Sequence, residues 1–472
     1  MTTLKSEVEL NNFYIFNSDH GTVEGEEHKK LLYYYPNTDH LDVQMKTLGL
    51  SEAMIQFTMS FKPDGPIDAI GTEKRRQIYF QPEDKYWMIM TLNVPTIKKS
   101  KDGVDITEYL SDDVQNNVYQ NVLKQAYYMY RLFNGTFERT LASSDVYTLK
   151  TKLEQFFTAY LTTIRLQHCD LLNVFNGMQF LPLNRQTFLN VQCFINSLEC
   201  KHPIIKHSAF MYNEHLVWSG IEPADMQVVY QYLITTLLPA HVSSELLCGS
   251  MPRNAASPFA ASALHHGRFI TGPENLKTSK NIGKVPTVFI YTQDKKEPDE
   301  YFLVVYRALS ASLCLFISAT EELTLELFQE LDEFIGPNLT EVVSEIAEYC
   351  TKQTPTQANI ASETTPRFIY FNKLNLAYKS TVHLDNKQNG NLSITKDCCK
   401  IMADLNEHKD AMGYAGEIIV KTMKDYWVVA KVSNLREFYV GLQQKQANLI
   451  DISDEVEKLC ENELKGIFFH TV

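Results

Sequence analysis

The sequence predicts an α/β protein of three domains, each a mainly antiparallel sheet flanked by helices. The chain has 472 residues, which is too long for one hydrophobic core. Short aromatic, strand-like runs alternate with helical segments, and the order found in the first third returns in the last third. The tryptophans, Trp87, Trp218 and Trp427, also fall one in each third, every one in a strand-like run. We therefore predict one domain plan used three times, with Trp87 and Trp427 in matching places.

Changes in composition predict where the domains meet. The run Thr351–Pro366 is rich in Thr, Pro, Ala and Gln, which favours a linker. The run Cys248–Ala263 is rich in Ser, Ala, Pro and Asn, which is typical of a flexible insertion. The predicted domains are residues 1–168, residues 169–352 with the insertion, and residues 353–472, which include the linker.

Turn and cap signals set the bounds of the elements in the first domain. Two aromatic runs flank a loop that contains Gly and Glu, which predicts a hairpin. Thr38 or Asp39 caps a helix, and Asn134-Gly135 ends a later one. The predicted elements are a hairpin Asn11–Asn17 and Lys30–Pro36, a helix Thr38–Phe61, two strands around the turn Pro82–Asp84, and helices Ser111–Asn134 and Asp145–Leu166.

The rest of the chain follows the same alternation. Pro223 suits the first turn of a helix, and Gly336-Pro337 predicts a break in another. The predicted elements are a helix Asn184–Leu198, a hairpin turning at Asn213-Glu214, a helix Pro223–Leu238, strands, and a broken helix Leu323–Cys350; after the linker come a hairpin, a helix Asp397–Leu405, three strands and a C-terminal helix.

Composition bounds the class of protein. The net charge of −13 argues against a nucleic-acid binder, which is usually basic. The nine cysteines form no Cys-x-x-Cys pair, which favours a reduced, cytosolic compartment. The N-terminal run lacks the apolar segment of a signal peptide, and no apolar stretch reaches 18 residues, so we expect no membrane span.

No catalytic signature is present in the sequence. The phosphate loop, the dinucleotide-binding glycines, the nucleophile elbow and the zinc helix are all missing. The run Leu264–Phe269 holds two histidines and an arginine. It is either a ligand or acid/base site or, as we favour, a polar strand start. We therefore predict no catalytic residue, no cofactor and no metal.

The predicted helix Thr38–Phe61 is apolar on two faces, so it is either buried on both or docks a partner. Because phenylalanines suit a core, we predict that the face with Leu50, Met54, Phe57 and Phe61 lies on the domain's own sheet. The opposite face is the predicted contact with a partner subunit. Its residues are Leu41, Met45, Leu48, Glu52, Ile55 and Met59.

Two basic stretches suggest a second contact. They are either solvated strand ends and loops or a contact with an anionic lipid or an acidic partner. The residues concerned are Lys74, Arg75, Arg76, Lys98, Lys99 and Lys101.

The order strand–strand–helix–three strands–two helices resembles that of longin domains. At the residue level the chain resembles the Ccz subunit of the Mon–Ccz complex, the calcium-caffeine-zinc-sensitivity or vacuolar fusion family. The matching segments are Leu48–Thr58, Tyr130–Phe137, Leu166–Gly177, His215–Glu222 and His266–Pro273.

That resemblance implies a function. The Mon–Ccz heterodimer is a guanine-nucleotide exchange factor for the late-endosomal Rab GTPase, and it promotes endosome maturation, lysosome or vacuole fusion and autophagosome maturation. In the family, the first longin domains of the two subunits pair to form the GTPase platform, so one chain alone is expected to be inactive. The resemblance therefore implies that the predicted contact face of the helix Thr38–Phe61 meets the Mon subunit, the GTPase or both. The implied partners also include a third, propeller-containing regulatory subunit in animals and peripheral contact with late-endosomal and lysosomal membranes.

Two other classes of protein stay open. One is a longin scaffold that binds a GTPase or a coat without exchanging nucleotide, which a nucleotide-release assay distinguishes. The other is an enzyme with a dispersed site, which a deep pocket with perturbed titratable groups would reveal.

Overall fold

The computed structural model describes residues 4–21, 23, 25–61, 65, 67–101, 104–248, 267–273, 276, 282–291, 297–358, 367–382 and 395–464, without the side chains of 99–101, 104–105, 244–248, 353–358 and 396. The chain divides into two compact units, Met1–Phe175 and Asn176–Val472.

In the first unit, an antiparallel sheet of order β3-β2-β6-β5-β4 carries helices on both faces, and a smaller sheet has the order β1-β7-β8. Its strands are β1 Leu4–Lys5, β2 Glu9–Asn17, β3 Leu31–Tyr35, β4 Ala69–Gly71, β5 Arg75–Glu83, β6 Tyr86–Asn93, β7 Thr96–Lys101 and β8 Val104–Tyr109. Its helices are α1 Leu41–Phe61, α2 Asn116–Asn134, α3 Phe137–Ser143, α4 Val146–Thr163 and α5 Leu171–Phe175.

Strand alternation builds a core on each face of the larger sheet. Phe13 and Ile15 of β2 pack with α2 and α4, whereas Tyr14 and Phe16 point to the other face, where α1 lies. The predicted hairpin of the first domain is confirmed, since β2 and β3 pair antiparallel.

The second unit contains two further antiparallel sheets, of order β11-β10-β15-β14-β12, with β13 also beside β14, and β18-β19-β20-β16-β17-β9. Strand β9 runs parallel to β17. The strands are β9 Met178–Gln179, β10 Ile205–Tyr212, β11 His215–Ser219, β12 Arg268–Phe269, β13 Thr287–Ile290, β14 Asp299–Ala308, β15 Ala311–Ser318, β16 Arg367–Asn372, β17 Ala377–Ser380, β18 Ala415–Lys421, β19 Tyr426–Ser433 and β20 Arg436–Gln443. The helices are α6 Arg185–Lys201, α7 Pro223–Tyr232, α8 Leu238–Cys248, α9 Leu325–Ala358, α10 Lys396–Glu407 and α11 Leu449–Leu464, with a π-helical turn Leu233–Leu237 joining α7 to α8.

The predicted break at Gly336-Pro337 is wrong, because α9 runs through both residues. Proline costs a helix one backbone donor. Here Asn338 and Thr340 donate side-chain hydrogen bonds to carbonyls of the preceding turn, at 2.7 Å each. The apolar stripe of α9 is also fully buried against its sheet, so tertiary packing outweighs the local cost.

The linker prediction is wrong over its first part, since α9 continues to Ala358. Residues 359–366 lie outside the described residues, and so does most of the predicted insertion, 249–263. The domain bounds stated above stay predictions.

The tryptophans do not hold matching places. The sheet order β17-β16-β20-β19-β18 repeats the order β3-β2-β6-β5-β4, so β20 corresponds to β6 and β19 to β5. Trp87 lies on β6 and faces α1, whereas Trp427 lies on β19 and faces the C-terminal helix α11. The order of the elements is repeated between the two domains. The two tryptophans follow similar short sequences, but they lie on strands that do not correspond.

Candidate functional site

Helix α1 contacts the first sheet through its inner face, which we define as Leu48, Ser51 and Ile55. These residues are spaced by three and four positions, so they share one side of the helix. They pack on a cluster of large strand side chains and are buried. The strand residues of that cluster are Tyr14, Phe16, Leu31, Tyr34, Tyr79, Trp87 and Ile89.

A polar network lies within this apolar contact. The Ser51 hydroxyl is 2.5 Å from the Tyr14 hydroxyl, and Gln77 donates to both oxygens at 2.9 Å. Tyr79 in turn donates to Gln77 Oε1 at 2.9 Å. Burial raises the pKa of Tyr14 and raises the pKa of Tyr79 to about 12, so both phenols stay protonated at neutral pH. The network fixes α1 on the sheet, because each buried hydroxyl needs a partner.

The outer face of α1, which we define as Leu50, Met54, Phe57 and Phe61, is exposed. Phe57 is 60% exposed and Phe61 74%, and their rings meet edge to face at 4.9 Å. Val43 continues the same side of the helix towards its N-terminus and is also exposed. An apolar strip of this size on one helix is typical of a protein contact.

The predicted assignment of the two faces is therefore reversed. Leu48 and Ile55 belong to the core of their own domain, and Phe57 and Phe61 do not. The physical reason is the sheet itself. Its α1-facing surface is already filled by tyrosines and a tryptophan, so the helix approaches with small and medium-sized side chains.

The remaining predicted interface residues lie at the edges of the inner face. Leu41 and Met59 are exposed near the two ends of α1, and Met45 is half-buried against the cluster. Glu52 forms an ion pair with Lys30 at 2.6 Å. Their role as contacts with another protein stays a prediction.

One residue of the inner face distinguishes it from the outer face, but only once the sheet that it faces is known. Tyr14, Tyr34 and Tyr79 all lie on strands and carry hydroxyls that need hydrogen-bond partners when buried. Ser51 is the polar residue between Leu48 and Ile55, which marks that stripe as the one facing the tyrosines. The phenylalanines on the other stripe are then free to contact another protein.

The structure divides the basic residues between two sheets. Lys74 and Arg75 are exposed at the start of β5, and Lys98 is exposed on β7. Arg76 is half-buried and donates to the Ser111 carbonyl at 3.1 Å, which is a contact within the domain. The side chains of Lys99 and Lys101 lie outside the described residues.

The described residues contain neither a metal-binding cluster nor a membrane-spanning helix. No group of three or more His, Cys, Asp or Glu residues is arranged to hold a metal ion within this part of the chain. None of the helices it contains combines the length and the apolar character that a membrane span needs. The two histidines of the run Leu264–Phe269 lie outside the described residues.

The sheet order and the flanking helices define a protein of three longin domains. The first matches the family described as the first longin domain of INTU, CCZ1 and HPS4 over residues 10–135. The second and third match Intu longin-like domain 2 over residues 205–336 and Intu longin-like domain 3 over residues 362–459.

Whole-chain relatives give the particular family. The chain is 43% identical over 463 residues to the vacuolar fusion protein CCZ1 homolog of Xenopus laevis, covering 98% of this chain and 97% of the relative. It is 43% identical over 470 residues to that of Nematostella vectensis, covering 99% and 100%. The Dictyostelium discoideum homolog is 27% identical over 466 residues, with 98% of each covered. The chain belongs to the vacuolar fusion protein CCZ1 homolog family.

Proposed function

We propose that this chain is one subunit of a heteromeric guanine-nucleotide exchange factor for the late-endosomal Rab GTPase. The observation that carries the proposal is the exposed outer face of α1 in the first longin domain. The family resemblance supplies the class of partner: a Mon subunit, with which the GTPase platform is shared. We further propose that the complex is recruited peripherally to late-endosomal and lysosomal membranes. In animals it would also contain a third, propeller-containing subunit.

A nucleotide exchange factor needs no nucleophile, base or metal of its own, because exchange breaks no covalent bond. The factor binds the nucleotide-free GTPase better than the loaded one, and this difference in affinity speeds nucleotide release. The switch loops of a GTPase are ordered by contact with magnesium and phosphate, so a rigid surface that holds them elsewhere suffices. A helix fixed to a sheet by buried hydrogen bonds is such a surface.

The outer face is suited to bind another protein because its apolar side chains lie on α1, which is held firmly on the sheet. Phe57 and Phe61 already pack on each other, so little side-chain freedom is lost when they are covered. Aromatic groups at the centre of an interface commonly contribute most of its binding energy. We therefore assign the contact with the Mon subunit, the GTPase or both to this face.

The direct test measures release of labelled GDP from the late-endosomal Rab. The chain alone should leave release near its intrinsic rate, and adding the Mon subunit should raise it by orders of magnitude. Binding of the nucleotide-free Rab without faster release would instead identify a longin scaffold. Full activity of the isolated chain would contradict the shared platform.

A matched pair of variants tests the face. Phe57→Asp should lower the exchange rate of the complex by about thirtyfold or more, the equivalent of a 2 kcal/mol hot spot. Tyr147→Asp makes the same kind of change at an aromatic residue that is 76% exposed on α4, a helix on the other side of the sheet. It should exchange nucleotide like the wild type. Pull-downs with the Mon subunit and with nucleotide-free Rab, done separately, show which contact Phe57→Asp removes.

A further inference from the structure

The third longin sheet ends in a strand whose outer edge is open within the described residues. Strand β18, Ala415–Lys421, pairs with β19 on one side, and the described part of the chain places no strand on its other side. Among the strands that end a sheet there, β18 is the longest, with seven residues. At the opposite end of the same sheet, β17 pairs with β9. The edge at β18 is therefore where this domain can accept a further strand.

Strand β18 lacks features that usually protect an outer strand from pairing. Such strands are commonly very short, or they carry a proline or a β-bulge. The register between β18 and β19 has no shift, and β18 contains no proline. Its centre consists of three β-branched aliphatic residues, a type that favours strand pairing, and all three are half-buried. They are Ile418, Ile419 and Val420.

The hydrogen bonds at the two ends of β18 show which of its backbone groups face outwards. The Asn434 amide donates to the Tyr414 carbonyl, and the Thr422 amide donates to the Tyr426 carbonyl, each at 2.7 Å. Because antiparallel hydrogen bonding alternates along a strand, the even-numbered residues of β18 form the hydrogen bonds to β19. The N–H and C=O groups of the odd-numbered residues therefore point away from the sheet. Three of these are Glu417, Ile419 and Lys421.

The same three residues make the edge complementary to a second copy of itself. Their side chains lie on one face of the sheet, since alternate residues of a strand share a face. When two copies of β18 pair antiparallel about Ile419, Glu417 of each copy lies opposite Lys421 of the other, and Ile419 lies opposite its own copy. Each of these pairs then exchanges two backbone hydrogen bonds, and the opposite charges attract.

The charges select this register over the neighbouring symmetric one. A pair centred on Ile418 would also match the outward-pointing groups, but it would place Glu417 opposite Ile419 and Lys421 opposite Ala415. No opposite charges would then lie directly across the contact. Charges of one sign on an edge keep two copies apart, whereas the two signs on β18 attract a second copy in the register about Ile419.

We propose that β18 is a self-association strand, through which two copies of the chain pair edge to edge about a two-fold axis at Ile419. The contact joins two third longin sheets into one and closes the open edge of both. A contact of this length buries little surface, so the dimer is weak and its population depends on protein concentration. It is independent of the outer face of α1 and of nucleotide exchange.

Sedimentation equilibrium of the full chain tests the pairing. The wild type should show a reversible monomer–dimer equilibrium. Glu417→Lys and Lys421→Glu should each dimerise at least about tenfold more weakly, because each variant places like charges opposite each other in both charged pairs. An equimolar mixture of the two variants should recover the wild-type affinity, since every charged pair between them again joins opposite signs.

Two results of this experiment overturn the proposal. One is a wild type that stays monomeric at its highest soluble concentration, and the other is a mixture of the two variants that does not recover dimerisation. Phe57→Asp is the control, because it changes the exposed outer face of α1 and should dimerise like the wild type. A dimer that is lost in Phe57→Asp and kept in Glu417→Lys would lie on α1, which also contradicts pairing through β18.

A proline tests the backbone hydrogen bonds separately from the charges. Ile419→Pro removes an N–H that points away from β19, so the bonds between β18 and β19 are kept. The matched control is Ile419→Ala, because both variants lose the side chain that packs on the cluster under α11. The proline variant should be monomeric, and the alanine variant should still dimerise. Equal dimerisation of the two would contradict pairing through the backbone of β18, and the charge variants decide if Ile419→Pro does not fold.

Discussion

Helices α1 and α10 occupy corresponding places, each following the hairpin that opens its longin domain and each packing on one face of the sheet. Both are fixed by a buried polar network: Ser51 with Tyr14 and Gln77 under α1, and Asn406 with Glu437 and Tyr439 under α10. Their outer sides differ. Helix α1 presents exposed phenylalanines, whereas the exposed side chains described on α10 are acidic: Asp397, Asp404 and Glu407.

The difference separates what the fold requires from what it leaves open. A longin sheet needs a helix whose inner side matches its surface. Helix α10 packs on its sheet in this way although its outer side is polar. The apolar outer face of α1 is therefore no requirement of the fold. Exposed aromatic groups cost solubility, so their presence on one helix and not on the other favours a contact made by the first domain.

The largest effect should come from placing a charge on the inner face of α1. Ile55→Asp puts a carboxylate among buried aromatic groups, where the cost is several kcal/mol and comparable with the stability of a whole domain. We expect loss of the cooperative unfolding transition of the first unit in urea. Leu50→Asp, on the outer face of the same helix, should unfold like the wild type. Equal stability of the two variants would contradict the assignment of the faces.

A smaller effect is expected under α10. Glu437 is buried; its Oε2 accepts from Asn406 and Tyr439 at 2.9 Å, and the ammonium groups of Lys373 and Lys409 lie 3.0 and 3.3 Å from Oε1. Glu437→Gln should lower the free energy of unfolding by about 1.5–3 kcal/mol, since hydrogen bonds to a charged group are lost. Chemical denaturation measures the change.

The matched control for that variant is Glu457→Gln, at an exposed position on α11. It should change the free energy of unfolding by less than about 0.5 kcal/mol. If the two variants are equally stable, the carboxylate of Glu437 does not fix α10 to its sheet.

The network under α1 should contribute less, because it is neutral. Ser51→Ala removes the hydroxyl that takes part in two hydrogen bonds of the network, but Gln77 still donates to Tyr14. We expect a loss of about 1–2 kcal/mol in the free energy of unfolding. Ser60→Ala, at an exposed serine of the same helix, is the control and should be nearly neutral. A double-mutant cycle with Tyr14→Phe should give a non-zero coupling energy; strict additivity would mean that the two hydroxyls do not interact.

The smallest effect is expected on the outer side of α10. Asp404→Asn should change neither the free energy of unfolding by more than about 0.5 kcal/mol nor the exchange rate of the complex. A loss of exchange as large as that of Phe57→Asp would show that both helices contact a partner. The difference between the outer sides of α1 and α10 would then not identify the partner-binding site.

The sequence by itself determined the element order, most element bounds and the family. Periodicity places α2 and α4, and Asn184 caps α6 by accepting from the Thr187 amide. The segments that carry the family resemblance lie in the first and second longin domains. These features are local, because caps, turns and stripes are properties of neighbouring residues.

The tertiary structure alone decided which side of α1 is core, because both stripes satisfy helical periodicity and only the shape and hydroxyls of the facing sheet choose between them. It also decided that α9 continues past Pro337, where packing outweighs a local signal. It brought Arg268 of β12 opposite Arg307 of β14, since strand pairing between distant segments cannot be read from either segment. Periodicity states which residues share a side, but the partner surface that covers that side is formed only when the chain has folded.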